Sequence, residues 1–250
     1  MHQQAVAEQV SIDQLQRFDP LALSPLVRNR SGYFFTKRLL DLILASLALL
    51  ISAPLLIIIA LCILVDSGWP VIFSQTRIGA KRWIRDGYGY WQRSKFTCYK
   101  FRSMVKDADA LVHKAYIEAY VSGCVEASGE TEVKYKLNND ARVTRVGRIL
   151  RKTSLDELPQ LVNVIRGDMS LVGPRPDVPY AVKCYQPWQY GRLAALPGIT
   201  GLWQTHGRCN VSFDEMVRMD IEYINNQSFW LDLKILLLTI PAVLSGEGAV

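Results

Sequence analysis

The most uneven feature of this chain is a long run without charge. Lys37, Arg38 and Asp41 precede it, no charged residue stands from Leu42 to Val65, and Asp66 ends it. At about 1.5 Å per residue the run is long enough to cross a bilayer. A buried core helix is a poor alternative, because few are apolar on every face over this length. Ser52-Ala53-Pro54 lies in the middle, and proline breaks or kinks a helix. Both flanks are basic, with Arg28, Arg30, Lys37 and Arg38 before and Arg77, Lys81, Arg82 and Arg85 after. Basic flanks stay cytoplasmic. The pattern predicts a helix-break-helix over 36–66 that enters and leaves on one face. Ser52 is the candidate partner for the backbone groups freed at Pro54.

Elsewhere the pattern is finer. Residues 1–35 form a mostly polar segment without an apolar run of signal-peptide length, so no cleaved leader is expected. Val71-Ile72-Phe73 and Phe96-Thr97-Cys98-Tyr99 have strand composition. Between them Trp83, Tyr88, Tyr90 and Trp91 mix with Lys81, Arg82, Arg85 and Arg93. That mixture fits a hairpin at a membrane interface or a solvated hairpin with a small aromatic cluster. Residues 105–123 and 180–185 read as helices, and 124–136 as a loop. Residues 212–225 read as an amphipathic helix capped by Ser212 with Glu215 three places on. Residues 231–244 are apolar but too short to span; with Trp230 at their start they suit an interface or the core. The expected class is α+β: a mainly helical, membrane-associated catalytic domain over 67–250, with a re-entrant helix, a small β-hairpin and interfacial amphipathic helices.

Composition narrows the partners. The net charge is +6 and the pI about 9.1, which favours anionic partners. Five scattered cysteines, with no Cys-x-x-Cys pair, suggest a reducing compartment and no zinc. His113 stands without an obvious partner and reads as a surface histidine; His206 could act as an acid or base, but a lone histidine is more often structural.

The chemistry concentrates between Arg148 and Pro176. Asp156 and Glu157 sit among Arg148, Arg151, Lys152 and Arg166, followed by Gly173-Pro174-Arg175-Pro176. A metal needs the acids, a phosphate needs the cations, and rigid turns hold the geometry. Ser154 to Glu157 fits a capping box; in another register Asp156 is the N-cap and Pro159 lies in the first turn. Both put Asp156 at a helix N-terminus, where the dipole favours carboxylate and phosphate alike. First-turn acids are also common as plain caps. Lys100 and Arg102 fall two places apart, on one face of a strand. They could line a phosphate site or a wet surface. An ionised carboxylate can attack phosphorus, and Mg²⁺ suits oxygen ligands shared with substrate phosphates.

From Lys37 to about Gly248 the chain resembles the monotopic phosphoglycosyl transferases, the bacterial sugar transferase family. The resemblance rests on ordered blocks: Lys37-Arg38 with Asp41, Ser52-Ala53-Pro54, Gln75 to Gly79, Tyr99 to Met104, Thr153 to Gln160, Gly167 to Pro176, and Pro197 to Gln204. It implies a ping-pong reaction in which Asp156 attacks the β-phosphate of a UDP-sugar and releases UMP. The sugar phosphate would then pass to undecaprenyl phosphate. Glu157 would help Asp156 hold Mg²⁺, Arg151 would bind phosphate, and Arg175 with Pro176 would shape the nucleotide pocket. Lys100 and Arg102 would be further active-site cations, and Tyr180 a further substrate contact. The implied location is the cytoplasmic face of a bacterial inner membrane, with membrane lipids as partners. Self-association is open, and nucleic acid is not expected. Two features depart from the family pattern: the longer stretch from Lys81 to Lys95, and His206 before Gly207-Arg208. Larger relatives carry extra membrane helices, and this sequence resembles the catalytic unit alone.

Two other classes compete. A membrane-anchored scaffold would use the acid pair only as a cap, so loss of Asp156 would leave any activity intact. A nucleic-acid binder would show a steep salt dependence, and the uncharged run argues against it.

Overall fold

The computed structural model describes residues 31–85, 88–106, 110–121, 142–206 and 211–244. The expectations for residues 1–30, for the 124–136 loop and for Gly207-Arg208 lie outside them. The fold is mixed and mostly helical, built beside one long apolar helix.

That helix, α1 (Ser31–Ser67), contains Pro54 with no non-helical residue on either side. Proline removes one N–H and need not end a helix. Ser52 Oγ donates to the Leu49 carbonyl at 3.3 Å, one residue before the carbonyl that Pro54 leaves without its i+4 donor. Only 11% of the most apolar window of α1 is buried, and among the described residues it is the one helix long and apolar enough to cross a membrane. Lys37, Asp41 and Ala45 near one end and Ile59 and Ile63 near the other are buried, with no buried residue between them. Leu47, Leu50, Ile51, Ile57 and Ile58 are exposed.

The two strand-like stretches extend into one antiparallel hairpin, β1 (Ile72–Arg85) and β2 (Tyr88–Phe101), in register from Ile72↔Phe101 to Arg85↔Tyr88. Its outer half packs beside the start of α1. Trp91 meets Phe34 edge to face, and the Arg82 guanidinium lies 4.0 Å from the Phe34 ring centre. Trp83 stays exposed.

The next helices are α2 (Ala110–Val121), α3 (Arg145–Lys152) and α4 (Gln160–Arg166). Then follow β3 (Ser170–Val172), α5 (Pro179–Lys183), a 3-10 segment Pro187–Leu193, β4 (Gly198–Thr200) and α6 (Leu202–His206). The chain closes with α7 (Phe213–Asn226) and α8 (Phe229–Leu244). Helix α7 carries the expected capping box: Glu215 N donates to Ser212 Oγ, and Ser212 N donates to the Glu215 carboxylate. The parallel pair β3–β4 joins two of the sequence blocks. The approach there is so close that a Cβ on Gly198 would lie 2.1 Å from Gly173 N. Only glycine fits.

One core cluster gathers Trp91, Phe96, Leu161, Val164, Met169, Val172 and Ile235. A second joins α2, α5 and α7 through Ile117, Ala181, Phe213 and Val217, and a third ties Ile59 and Ile63 to Phe101 and Leu150. Helix α8 packs one side into the core. Ile235 is fully buried, while Trp230, Leu237 and Ile240 face outward.

Buried polar contacts pin α1 at both ends. Lys37 Nζ donates to Asp232 at 2.9 Å and to the Val172 carbonyl at 3.0 Å. Asp41 accepts from Leu171 N at 3.0 Å. Arg38 caps the C-terminus of α4 through the Val164 and Ile165 carbonyls, beside Gly167 in the left-handed conformation. At the far end Asp66 accepts from Val146 N at 3.1 Å.

Candidate active site

Asp156 lies in a 3-10 turn, Leu155–Glu157, between α3 and α4. Neither expected capping register forms. Ser154 takes φ 57° and makes no side-chain cap bond, and α4 begins later, behind Pro159 as its N-cap. A left-handed serine costs about 1–2 kcal/mol. The surrounding contacts impose it, and it turns the chain sharply just ahead of the acids. Asp156 is 9% exposed.

Glu157 has a different task from capping. Its Oε1 accepts from Lys100 Nζ at 2.7 Å and from Arg175 Nη2 at 2.7 Å, with Arg175 Nη1 3.4 Å from Oε2. Burial alone would raise the Glu157 pKa, but the charges and hydrogen bonds of Arg175 and Lys100 outweigh it and hold the carboxyl well below its usual range. Glu157 is therefore ionised at neutral pH. Cys98, on the same strand as Lys100, is buried, and burial pushes its thiol up. A neutral thiol is a poor competing nucleophile.

Asn163 sets the relation between β2 and the acid turn. Its Nδ2 donates to the Thr97 carbonyl at 2.7 Å and its Oδ1 accepts from Tyr99 N at 3.1 Å. The amide thus replaces a missing strand neighbour and fixes Lys100 one residue further on. Sequence reading passed over Asn163. The available signal was one amide inside the apolar run from Leu161 to Ile165.

The remaining expected site residues divide. Lys100, Glu157 and Arg175 come together. Pro176 is buried, and its carbonyl accepts from Arg77 Nη1 at 3.0 Å. Arg151 lies in the last turn of α3, half-buried, with no side-chain hydrogen bond or ion pair among the described residues. Arg148 and Lys152 are exposed on the same helix. Arg166 bonds the Tyr99 hydroxyl at 2.9 Å. Tyr180 sits on α5 against the second core cluster. Arg102 is elsewhere. Its Nη2 donates to the Ser67 and Gly68 carbonyls, each at 2.6 Å, and so caps the C-terminus of α1. Strand β2 ends at Phe101, so the shared-face expectation for Lys100 and Arg102 fails: the chain has left strand geometry by Arg102. Exposed His206 bonds within its own helix.

No group of three or more metal-ligating side chains occurs among the described residues. A protein-only metal cage is thus absent there. Two adjacent carboxylates suit the different mode of Mg²⁺, which takes one or two carboxylates and completes its shell with substrate phosphate and water.

A buried acid, a neighbouring acid held by two cations, and an arginine between two prolines thus come together beside an apolar helix. Comparison with known proteins gives the family. The family model for bacterial sugar transferases matches residues 32–246, and the chain belongs to that family. It is 42% identical over 219 residues to a galactosyl transferase, CpsE, of Streptococcus agalactiae, covering 87% of this chain and 44% of that protein. It is 41% identical over 215 residues to an undecaprenyl-phosphate galactose phosphotransferase of Salmonella typhimurium, covering 86% and 42%. It is 40% identical to the exopolysaccharide production protein ExoY of Rhizobium meliloti, covering 85% and 87%. The chain thus spans less than half the length of the first two relatives and most of the third.

Proposed function

We propose that this chain transfers a hexose 1-phosphate from a UDP-sugar to undecaprenyl phosphate, releasing UMP. A carboxylate oxygen of Asp156 attacks the β-phosphorus, and the bond from that phosphorus to the oxygen bridging the α-phosphate breaks. UMP leaves with the electron pair. A phosphate oxygen of undecaprenyl phosphate then attacks the same phosphorus and restores the carboxylate. The observation that carries this reading is the Lys100–Glu157–Arg175 clamp beside Asp156. It supplies fixed positive charge where a diphosphate gains negative charge as it leaves. Undecaprenyl phosphate enters from the names of relatives, and UDP from the resemblance in sequence. Asp156 and Glu157 would hold Mg²⁺ with the substrate phosphates, and the ion would supply charge neutralisation at the leaving group.

We infer a re-entrant path for α1 as part of the same reading. Both ends pack on one domain, while the exposed apolar middle lies between Ala45 and Ile59. Bent at Pro54, each arm of about seven residues would reach roughly 10 Å into the bilayer, about a third of its core. The site then sits at the cytoplasmic surface, within reach of a lipid phosphate.

The test is UMP release from a panel of UDP-sugars with Mg²⁺ and undecaprenyl phosphate, for wild type and Asp156→Asn. Release with at least one sugar, lost in the mutant, is expected. Equal release by both proteins would remove Asp156 as nucleophile.

A further inference from the structure

We propose that Arg192 is a positioning residue of this site, holding the Gly173–Asp177 loop so that Arg175 reaches Glu157. The inference rests on the transfer reading above for its catalytic meaning, and on geometry for the hold itself.

The loop is short of donors. Gly173 N donates to the Thr200 carbonyl at 2.9 Å, but Pro174 and Pro176 have no N–H, so beyond Gly173 much of the anchorage falls to the carbonyls. Four successive carbonyls are taken up from outside the loop. Pro174 O accepts from Gly198 N of β4 at 2.8 Å. Arg175 O accepts from Arg192 Nη2 at 3.3 Å. Pro176 O accepts from Arg77 at 3.0 Å, and Asp177 O from Ile78 N at 2.9 Å. The carbonyl of Arg175 itself, the residue that must be aimed, is the one met by Arg192.

Arg192 is built for that contact. It is 1% exposed. Its Nη1 donates to Asp177 Oδ2 at 2.7 Å and to the Tyr185 hydroxyl at 3.1 Å. Its Nη2 is paired with Asp220 Oδ2 of α7 at 2.6 Å. Tyr185 completes the ring by donating to the same Asp177 oxygen. One planar fork thus joins α7, the side chain of the last loop residue and the Arg175 carbonyl. A lysine carries its three donors on a single atom and lacks the planar two-nitrogen fork that sets Asp177 on one side and Asp220 with the Arg175 carbonyl on the other. Buried ion pairs are weak sources of stability, since desolvation cancels much of the attraction. What this one supplies, and an apolar trio could not, is a fixed direction for the loop.

The experiment is hydrogen exchange by mass spectrometry on the full chain in detergent, for wild type, Arg192→Lys and Asp220→Asn, together with donor and acceptor KM values. Arg192→Lys should speed exchange about tenfold in peptides over 76–80 and 171–178, and leave α4 protected. It should raise the donor KM about tenfold and leave the acceptor KM unchanged. Asp220→Asn removes one anchor of Arg192 and keeps the bonds to Asp177 and Arg175, so exchange over 171–178 should rise by a smaller factor with α4 unchanged; if Arg192→Lys does not fold, that rise supports the proposal and its absence overturns it. Unchanged exchange over 171–178 would overturn the proposal. So would a uniform rise that includes α4, with kcat reduced and both KM values intact, because that is the pattern of a general stabiliser. A wild type that releases no UMP would sink the transfer reading, and the exchange pattern would still decide whether Arg192 holds the loop.

Discussion

Arg175 Nη2 lies 2.7 Å from Glu157 Oε1, across eighteen positions of sequence. The contact fastens a proline-braced turn to the acid pair, and Lys100 shares the same oxygen. Replacing Glu157 by Gln would leave two half-buried cations facing each other over a neutral amide. We expect a stability loss of about 1–3 kcal/mol and a fall in UMP release of at least roughly a hundredfold. Thermal melting and UMP assay check both; near-normal turnover would show that the clamp is not part of the reaction.

Arg102 caps α1 and does not contact the clamp. The variant Arg102→Ala frees two partly buried carbonyls and removes a cation from a helix C-terminus, a loss of about 1–3 kcal/mol. Its effect on chemistry should be indirect. The single-turnover UMP burst without lipid acceptor should persist, while steady-state transfer to the lipid falls. A burst lost together with transfer, in protein that still melts cooperatively, would place Arg102 nearer the reacting phosphate than its contacts suggest.

Stability should depend on pH through Asp220. Burial pushes its carboxyl from 3.8 to about 7; Arg192 opposes the shift and Asp177 adds to it. The folded value exceeds the unfolded one, so the protonated form favours folding. That contribution is full below about pH 4 and is lost as pH rises through about 7, an excursion on the order of 4 kcal/mol. Glu157 works in the opposite sense, since its folded value is lowered. Its contribution is present above about pH 4.5 and lost in acid, outside this window. Wild-type melting temperature should therefore fall from pH 5 to pH 8, and Asp220→Asn should flatten that slope. Parallel slopes in the two proteins would remove Asp220 as the cause.

Gly198→Ala tests the junction of two sequence blocks. The added methyl would meet Gly173 N at 2.1 Å, in backbone that cannot swing aside. We expect a loss of at least about 3 kcal/mol, read as a drop in melting temperature or failure to recover folded protein. A variant as stable as wild type would mean that β3 and β4 can separate at little cost.

Much of this protein was legible along the chain because the relevant signals are local. Charge exclusion over Leu42–Val65 marked the apolar helix, strand composition marked the hairpin, and Ser212 with Glu215 marked the start of α7. The crowding of Asp156, Glu157 and Arg175 within one short stretch marked the candidate site before any fold was known.

Partner choice was another matter. The Ser154–Glu157 pattern fits a cap, yet Glu157 turns to Lys100 and Arg175 because two cations outbid one backbone N–H. Lys100 and Arg102 look equivalent, but β2 ends between them and sends them to different elements. Lys37 meets Asp232 across 195 positions, and Arg192 finds its acids on a loop and on α7. The sequence by itself determined which segments are apolar, extended or helical, because those preferences depend on neighbours a few residues apart. Only the tertiary structure decided which buried charge answers which, because a desolvated polar group must pair with whatever the packed elements bring within about 3 Å.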